Sequence, residues 1–359
     1  MKPYVLKTKY ACGVDLHSRQ MYVCIMDKDG NIFKHTNIKG NNLDFFLKLI
    51  EPYKSDLTVA VESTFNWYFL KDFCDLHNIE FVIGHALYMK HIHGGKAKND
   101  RIDSRKIADL LRGNYLPPSY CYPAHLRSAR DLMRRRNHMV RERAALLSHI
   151  SIVGHQFNMD IKDTHKRKEV RKELLKMFKF DKNTHSNIKA DLEAIEAFDK
   201  IIKRLDLEIR QHALTEARHS FQILKTIQGS GDTISLSILY EIDDINRFKT
   251  VKDFTSYARL VKCKSESAGK SYGYSGTKIG NPHLKWAFGE LALYSAIHCP
   301  EIKIFFNKYL LNKYSKSKAY SVLAHKLGRA VYFMLKKGTA FDPYKFCLEF
   351  AQEYRRNPV

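Results

Sequence analysis

Residues 10–39 read YACGVDLHSRQMYVCIMDKDGNIFKHTNIK, and this stretch sets the architecture. It divides into three short runs of β-type residues, 10–16, 21–27 and 31–38, with brief polar breaks between them. Asp29 and Gly30 tolerate the positive φ of a tight turn, so the second and third runs form a hairpin and the three strands lie antiparallel. Beyond them the periodicity changes. A helix is predicted over 41–53, with Leu43, Phe46, Leu47 and Ile50 on one face, then a buried strand over 57–61. A helix near 67–77, a strand over 80–83 and a Gly/Lys/His loop over 91–98 follow. The last helix runs over 100–112 and is stopped by Gly113 and the pair Pro117-Pro118. Three strands and a helix, followed by two further strand–helix alternations, predict an α/β domain of the RNase H-like type over residues 1–125.

The whole chain has 359 residues, with 61 Lys and Arg against 38 Asp and Glu, a formal net charge of +23. At about 100–200 residues per domain this length carries two or three domains, and 44% hydrophobic residues are enough for real cores. Such an excess of cations is out of place in an ordinary metabolic enzyme and points to a polyanion, of which nucleic acid is the commonest. A membrane-surface protein would concentrate the charge on one amphipathic segment, and none is present. No signal peptide or transmembrane run is visible, so a soluble cytoplasmic protein is expected. The 7 cysteines form no Cys-x-x-Cys pair and are odd in number, which argues against a disulfide framework or a zinc ribbon.

From residue 126 the pattern becomes heptad: Leu132, Met139, Leu146 and Val153 recur at one seam, and Met133, Val140 and Leu147 at its neighbour. A second helix over 188–209 carries Leu192, Ile195, Phe198, Ile202 and Leu205 on one face. The two predict a coiled-coil region over 126–219, as an antiparallel hairpin or as a dimer seam. Residues 220–359 read as a mostly helical third region, interrupted by a Ser/Gly/Lys-rich segment over 264–281 whose composition alone is that of a flexible loop.

Candidate chemistry begins with carboxylates. Asp15 lies on the first strand and Glu62 ends the fourth, both within apolar runs where a carboxylate is costly unless paired or bound to metal. Asp100 and Asp103 share one face of the opening turn of the last helix. In the predicted strand order these four converge and suit two Mg²⁺ ions about 4 Å apart. The competing reading makes Asp100 and Asp103 ordinary N-terminal helix charges and Asp15 a solvated residue. Lys96, Lys98, Arg101, Arg105 and Lys106 surround the acidic pair and suit approaching phosphates, or are plain solvated surface. His85, His91 and His93 lack the partners that would complete a usual zinc spacing.

Two further segments suit nucleic acid. Residues 127–143 hold Arg127, Arg130, Arg134, Arg135, Arg136, Arg141 and Arg143 against only Asp131 and Glu142, and arginine favours bidentate contact with phosphate. The Leu224 to Gly231 stretch, with Gly229, Ser230 and Gly231 at its turn, reads as a helix-hairpin-helix offering backbone N–H groups, or as an ordinary αα turn. The Gly-Lys-Ser at 269–271 is not a P-loop, because the upstream glycine and strand are missing.

Taken in order, Gly13-Val14-Asp15-Leu16-His17, Val61-Glu62-Ser63-Thr64, Lys98-Asn99-Asp100-Arg101-Ile102-Asp103-Ser104, Ile227-Gln228-Gly229-Ser230-Gly231 and Lys278-Ile279-Gly280-Asn281-Pro282-His283-Leu284-Lys285 resemble the DEDD-type insertion-sequence transposases of the one-hundred-and-ten family. The resemblance extends along nearly the whole chain. It implies a RuvC-like nuclease domain, a coiled coil and a C-terminal transposase domain whose serine attacks DNA. Asp15, Glu62, Asp100 and Asp103 are then the Mg²⁺ ligands. Ser267, eleven residues before Lys278, is then the nucleophile, with Ser265 and Ser271 as the alternatives. Lys270 and Lys278 would lie against the DNA. Where family members have Ser-Gly this chain has Ser267-Ala268, and Arg259-Leu260-Val261-Lys262 replaces their Gly-Leu-x-Pro.

The resulting expectation is a site-specific DNA recombinase acting on donor and target DNA. The resemblance implies guidance by a bridge RNA, assembly as a dimer or tetramer with a site composed from different subunits, and location on the nucleoid. A serine phosphoester keeps the energy of the broken bond for rejoining. The rivals are a metal-dependent junction-resolving nuclease with water as nucleophile, and a non-catalytic nucleic-acid binding protein.

Overall fold

The computed structural model describes residues 2–92, 99–161, 170–268, 270–275 and 279–356. Two compact units are present, Met1–Ala124 and His125–Val359. The first is built on strands β1 (Tyr10–Leu16), β2 (Gln20–Asp27), β3 (Ile32–Lys39), β4 (Leu57–Glu62), β5 (Glu80–Gly84) and β6 (Pro118–Ser119), in the order β3-β2-β1-β4-β5-β6. β1 to β3 are antiparallel, β1, β4 and β5 run parallel, and the short β6 closes the edge antiparallel. This mixed sheet is consistent with the RNase H-like type expected from the sequence. Its helices are α1 (Leu43–Ile50), α2 (Tyr68–Leu76), α3 (Ala86–Ile92) and α4 (Asp100–Arg112). The sequence expectation missed α3 and β6, the latter because two residues led by a proline carry no strand period.

Side-chain alternation decides what each face of the sheet holds. Cys12, Val14 and Leu16 of β1 join Val59 and Val61 of β4 in a core shared with Phe46 and Ile50 of α1 and Leu70 of α2. Ala11 and Ala60 belong to the opposite core, with Ile107, Ala108 and Leu111 of α4. By the same alternation Asp15 and Glu62 fall on the α4 face, at the carboxyl ends of neighbouring parallel strands.

The intervening residue on that face is Gly13. A Cβ there would stand 2.3 Å from the Ala108 nitrogen and 2.3 Å from the Ser104 carbonyl oxygen. Glycine thus lets the α4 backbone lie directly on β1, where any side chain would hold it off.

In the second unit α5 (Ala124–Gln156) and α7 (Lys182–Glu216) are long helices, with the short α6 (Arg171–Met177) between them. Arg136 pairs with Asp206, Arg143 with Asp199 and His149 with Asp191, so partners that climb α5 descend α7 and the two run antiparallel. The apolar seam is uneven. Met133, Ile150 and Val153 are buried, whereas Met139, Val140, Leu146 and Leu147 are only half-buried. The near ends of both helices share a core with the helices that follow, through Ala129, Met133, Leu205, Ile209 and Ala213. Those helices are α8 (Arg218–Lys225), α9 (Asp232–Ile242), α10 (Val251–Tyr257), α11 (Pro282–His298), α12 (Pro300–Phe305), α13 (Lys316–Lys337) and α14 (Pro343–Arg356). α11 packs on α9 and α13 through Leu284, Phe288 and Leu291.

The segment expected to be a flexible loop is instead a two-stranded hairpin, β7 (Cys263–Ser267) and β8 (Lys270–Ser275). Backbone pairing fixes it, with Ser267 and Lys270 the last pair before a two-residue turn that places Ala268 at φ +50°. A left-handed residue at that point matches the primed turns that suit hairpin twist.

Gly13→Ala is expected to be destabilising by about 1–3 kcal/mol, because the atoms it meets are backbone and cannot rotate away. Urea unfolding checks this, and an unchanged midpoint would mean that α4 does not lie on β1 as described.

Candidate active site

The short distance between α4 and β1 brings the opening turn of α4 over Asp15. Asn99 caps that turn, its side chain accepting from the Arg101 N–H at 2.9 Å. Asp100 Oδ2 accepts from Gln20 Nε2 at 3.0 Å, and Gln20 Oε1 accepts in turn from Asn37 Nδ2 at 3.1 Å. His17 Nε2 stands 3.1 Å from Asp15 Oδ2 and 3.4 Å from Asp100 Oδ1. Among the described residues Asp15, His17 and Asp100 form one group whose ligand atoms all lie within 4.8 Å of one another.

Asp103 and Glu62 stand outside that tight group. Asp103 is near enough for its charge to act on Asp15, and its own carboxylate meets Lys106 Nζ at 3.4 Å. Glu62 sits one register step past the Val14–Val61 pair, beside Asp15. Burial pushes the Asp15 carboxyl above the ordinary carboxylate range, His17 opposes the rise, and the charges of Asp100 and Asp103 add to it. A divalent cation would relieve that accumulation of negative charge, and the oxygen donors present fit one.

Of the cations expected beside the pair, Arg101 and Arg105 are exposed, although Arg105 also approaches Asp109 at 3.6 Å. Lys98 lies outside the described residues, as do Lys96 and His93.

The arginine-rich helix differs from the expectation that its cations lie open to phosphate. Arg130 and Arg134 both donate to Glu241 of α9, Arg134 through two nitrogens at 2.6 and 2.9 Å. Arg136 grips Asp206, Arg143 shares Asp199 with Arg171, and Arg127 is buried. Arg135 is exposed and, among the described residues, pairs with no carboxylate. Distant acids from α7 and α9 thus supply the negative charge missing from the local sequence.

Glu241, which the sequence expectation passed over, is the centre of this network. Its side chain is 3% exposed, and Asn281 Nδ2 donates to it at 2.7 Å. Burial raises its pKa, but the Arg134 hydrogen bonds, the charges of Arg130 and Arg134 and the Asn281 donor outweigh it and hold the value at about 2. Asn281 is also the cap of α11, accepting from the His283 and Leu284 N–H groups.

The same asparagine closes the base of the β7–β8 hairpin. Its N–H donates to the Tyr257 carbonyl at 2.6 Å, and Arg259 Nε donates to the Gly280 carbonyl at 2.9 Å. The chain entering the Ser267 hairpin is therefore fastened to the chain leaving it. Lys270 is exposed on β8, the side-chain surroundings of Ser265, Ser267 and Ser271 are not described, and Lys278 lies outside the described residues.

At the α8–α9 turn, Gly229 has φ +96° and a Cβ there would stand 2.5 Å from the Tyr294 carbonyl carbon. Its role is close packing on α11. The Ser230 and Gly231 N–H groups donate inside the turn, to Ile227 and Gly229, so they are not the open phosphate donors expected from the motif. Asp232, at the start of α9, pairs with Arg210 and Lys225. A groove of about 900 Å³ runs over this turn, lined among others by Lys203, Arg210, Lys225, Gly231, Trp286 and Tyr294.

Glu241→Gln is expected to be destabilising by about 3–5 kcal/mol at neutral pH, because it leaves two arginines facing an uncharged partner. The carboxylate's pKa is lowered by folding, so its contribution is complete above about 4.5 and fades as pH falls towards about 2. Urea midpoints of wild type and variant should converge over that interval. A constant difference would show that the charge is not what stabilises the site.

Two family matches cover this geometry. Residues 12–153, which hold all four carboxylates, match the DEDD transposase model of the IS110 group. Residues 221–307, which hold the α8–α9 turn and the Ser267 hairpin, match the transposase family IS116/IS110/IS902. No curated protein matches the chain. With two models of one transposase family matching residues 12–153 and 221–307, and the acidic site inside the first match, the chain belongs to the IS110 family of DEDD transposases and is a DNA transposase.

Proposed function

We propose that this transposase is a site-specific recombinase that cuts and rejoins DNA through a covalent serine–DNA intermediate, with Mg²⁺ at the acidic site and an RNA guide selecting the DNA. The observation that carries the reading is the convergence of Asp15 and Asp100 beneath the start of α4, with Glu62 one register step away. Asp15, Glu62, Asp100 and Asp103 hold the cation, in the fuller reading two of them. A bound divalent cation supplies positive charge at the phosphoryl oxygens and eases deprotonation of the attacking hydroxyl.

Ser267 supplies the nucleophile. Its Oγ forms a bond to phosphorus as the phosphodiester P–O bond breaks, the departing deoxyribose oxygen takes up a proton, and the reverse attack rejoins the strand. The fastened base of the hairpin supports this role, since a nucleophile must be held within a few tenths of an ångström of its productive place. Lys98, Arg101 and Arg105 receive phosphates beside the acidic pair, Lys270 receives them on the hairpin, and Lys278 is a further phosphate contact. Arg135 receives them on α5. The α8–α9 turn meets DNA phosphate through the cations of its groove, Lys203, Arg210 and Lys225, rather than through the N–H groups of Ser230 and Gly231.

Assembly into dimers or tetramers proceeds through α5 and α7 as a coiled coil, for which the half-buried Met139, Val140, Leu146 and Leu147 provide apolar surface. The +23 charge supports binding to both DNA and a bridge RNA, and work on the nucleoid. Among the described residues no helix is long and apolar enough to cross a membrane.

Asp15→Asn is expected to abolish Mg²⁺-dependent strand cleavage while leaving the unfolding midpoint and DNA binding near wild type. Cleavage at the wild-type rate would overturn the metal assignment. Ser267→Ala is expected to bind RNA and DNA normally yet give no covalent protein–DNA adduct on a denaturing gel. Loss of the adduct in Ser265→Ala or Ser271→Ala instead would move the nucleophile. An adduct-free wild type that still cleaves would establish water as the nucleophile.

A further inference from the structure

We infer that His17 is itself a ligand of the cation at the acidic site, and that its nitrogen makes the site prefer a first-row transition ion such as Mn²⁺ over Mg²⁺. The inference rests on the reading above that Asp15 and Asp100 hold a divalent cation.

His17 is held in place although its side chain is 47% exposed. Its N–H donates to the Gln20 carbonyl, closing the β1–β2 turn. Its own carbonyl accepts from Asn41 Nδ2 at 3.0 Å and from Asn66 Nδ2 at 2.9 Å. Two asparagines from different parts of the chain, one before α1 and one after β4, therefore fix the backbone from which the imidazole projects. Solvated surface histidines need no such anchoring.

The ring nitrogen then meets both carboxylates. Adjacent ligands of an octahedral ion with bonds of about 2.1 Å lie about 3 Å apart. The 3.1 Å from Nε2 to Asp15 Oδ2 and 3.4 Å to Asp100 Oδ1 are edges of that size, and all the ligand atoms fit within 4.8 Å. Gln20 holds the other oxygen of Asp100, leaving Oδ1 towards His17, and Asn37 holds Gln20. Such outer contacts are what orient first-sphere ligands in metal sites.

The chemistry follows from the donor set. Carboxylate and water oxygens suit Mg²⁺, whereas imidazole nitrogen binds it poorly and suits the first-row transition ions. One imidazole beside two or more carboxylates is a set that Mn²⁺ accepts readily. The alternative use of the same geometry is an imidazole N–H that only bridges the two acids and leaves when a cation enters.

The test is Mn²⁺ binding to the full-length protein, followed by electron paramagnetic resonance. Loss of the free-ion signal gives affinity, and pulsed measurements read ¹⁴N coupling to the bound ion. Wild type is expected to bind Mn²⁺ with an imidazole ¹⁴N coupling that is absent from His17→Ala and His17→Gln. In both variants Mn²⁺ affinity should fall about tenfold to a hundredfold, with a much smaller change in Mg²⁺ affinity measured by competition. Asp15→Asn should lose the bound ion and so place the signal at this site. Bound Mn²⁺ without ¹⁴N coupling in wild type, or a coupling and affinity unchanged in both His17 variants, overturns the inference and leaves the acidic site standing. A wild type that binds no Mn²⁺ or Mg²⁺ overturns both.

Discussion

The first unit depends on one close approach, that of the α4 backbone to β1 at Gly13. Strand alternation already assigns Asp15 and Glu62 to the α4 face, but alternation alone does not bring Asp100 to them. A helix packed on a sheet across ordinary side chains stands about 10 Å away, too far for acids on its first turn to share an ion with acids on the strand. With no Cβ at position 13, the Ser104 carbonyl and Ala108 N–H take that space. The first turn then lands where Asp15, His17 and Gln20 wait. Burial, with the charges of Asp100 and Asp103 adding to it and His17 opposing it, presses the Asp15 carboxyl upward, and a divalent cation would relieve that pressure.

A second constraint organises the larger unit. Glu241 is buried, and a buried carboxylate is tolerated only with its lone pairs satisfied. Arg130, Arg134 and Asn281 satisfy it, and in doing so they tie α5 to α9 and to the cap of α11. Because Asn281 also fastens the base of the Ser267 hairpin, the placement of the proposed nucleophile and the folding of the helical core share one polar network. Arginines that look like a nucleic-acid face are partly structural for this reason, which leaves Arg135 as the exposed cation of their central run that pairs with no carboxylate among the described residues.

Much of this was legible in the sequence wherever the signal was local. The alternation over 10–39 and the Asp29-Gly30 turn gave the antiparallel meander, and the apolar run before Glu62 gave its parallel neighbour. Gly113 and the Pro117-Pro118 pair marked the end of α4. What escaped depended on contacts far apart in the chain. Glu241 lies more than a hundred residues from Arg130, so an arginine run with few nearby acids read as wholly open when Arg130, Arg134 and Arg136 are paired. Gly229 read as a phosphate-binding turn because its packing against Tyr294 is a property of α11. The β7–β8 hairpin escaped because serine, glycine and lysine mask strand alternation. His17 escaped because a single histidine after a strand has no period and no spacing partner, and only the fold brings Asp100 to it.

If the Gly13 contact assembles a cation site from β1 and α4, anomalous diffraction from crystals of the protein grown with Mn²⁺ will show one strong peak between the carboxylates of Asp15 and Asp100. A well-ordered site with no such peak, or a peak bound only by residues of the second unit, would contradict that assembly.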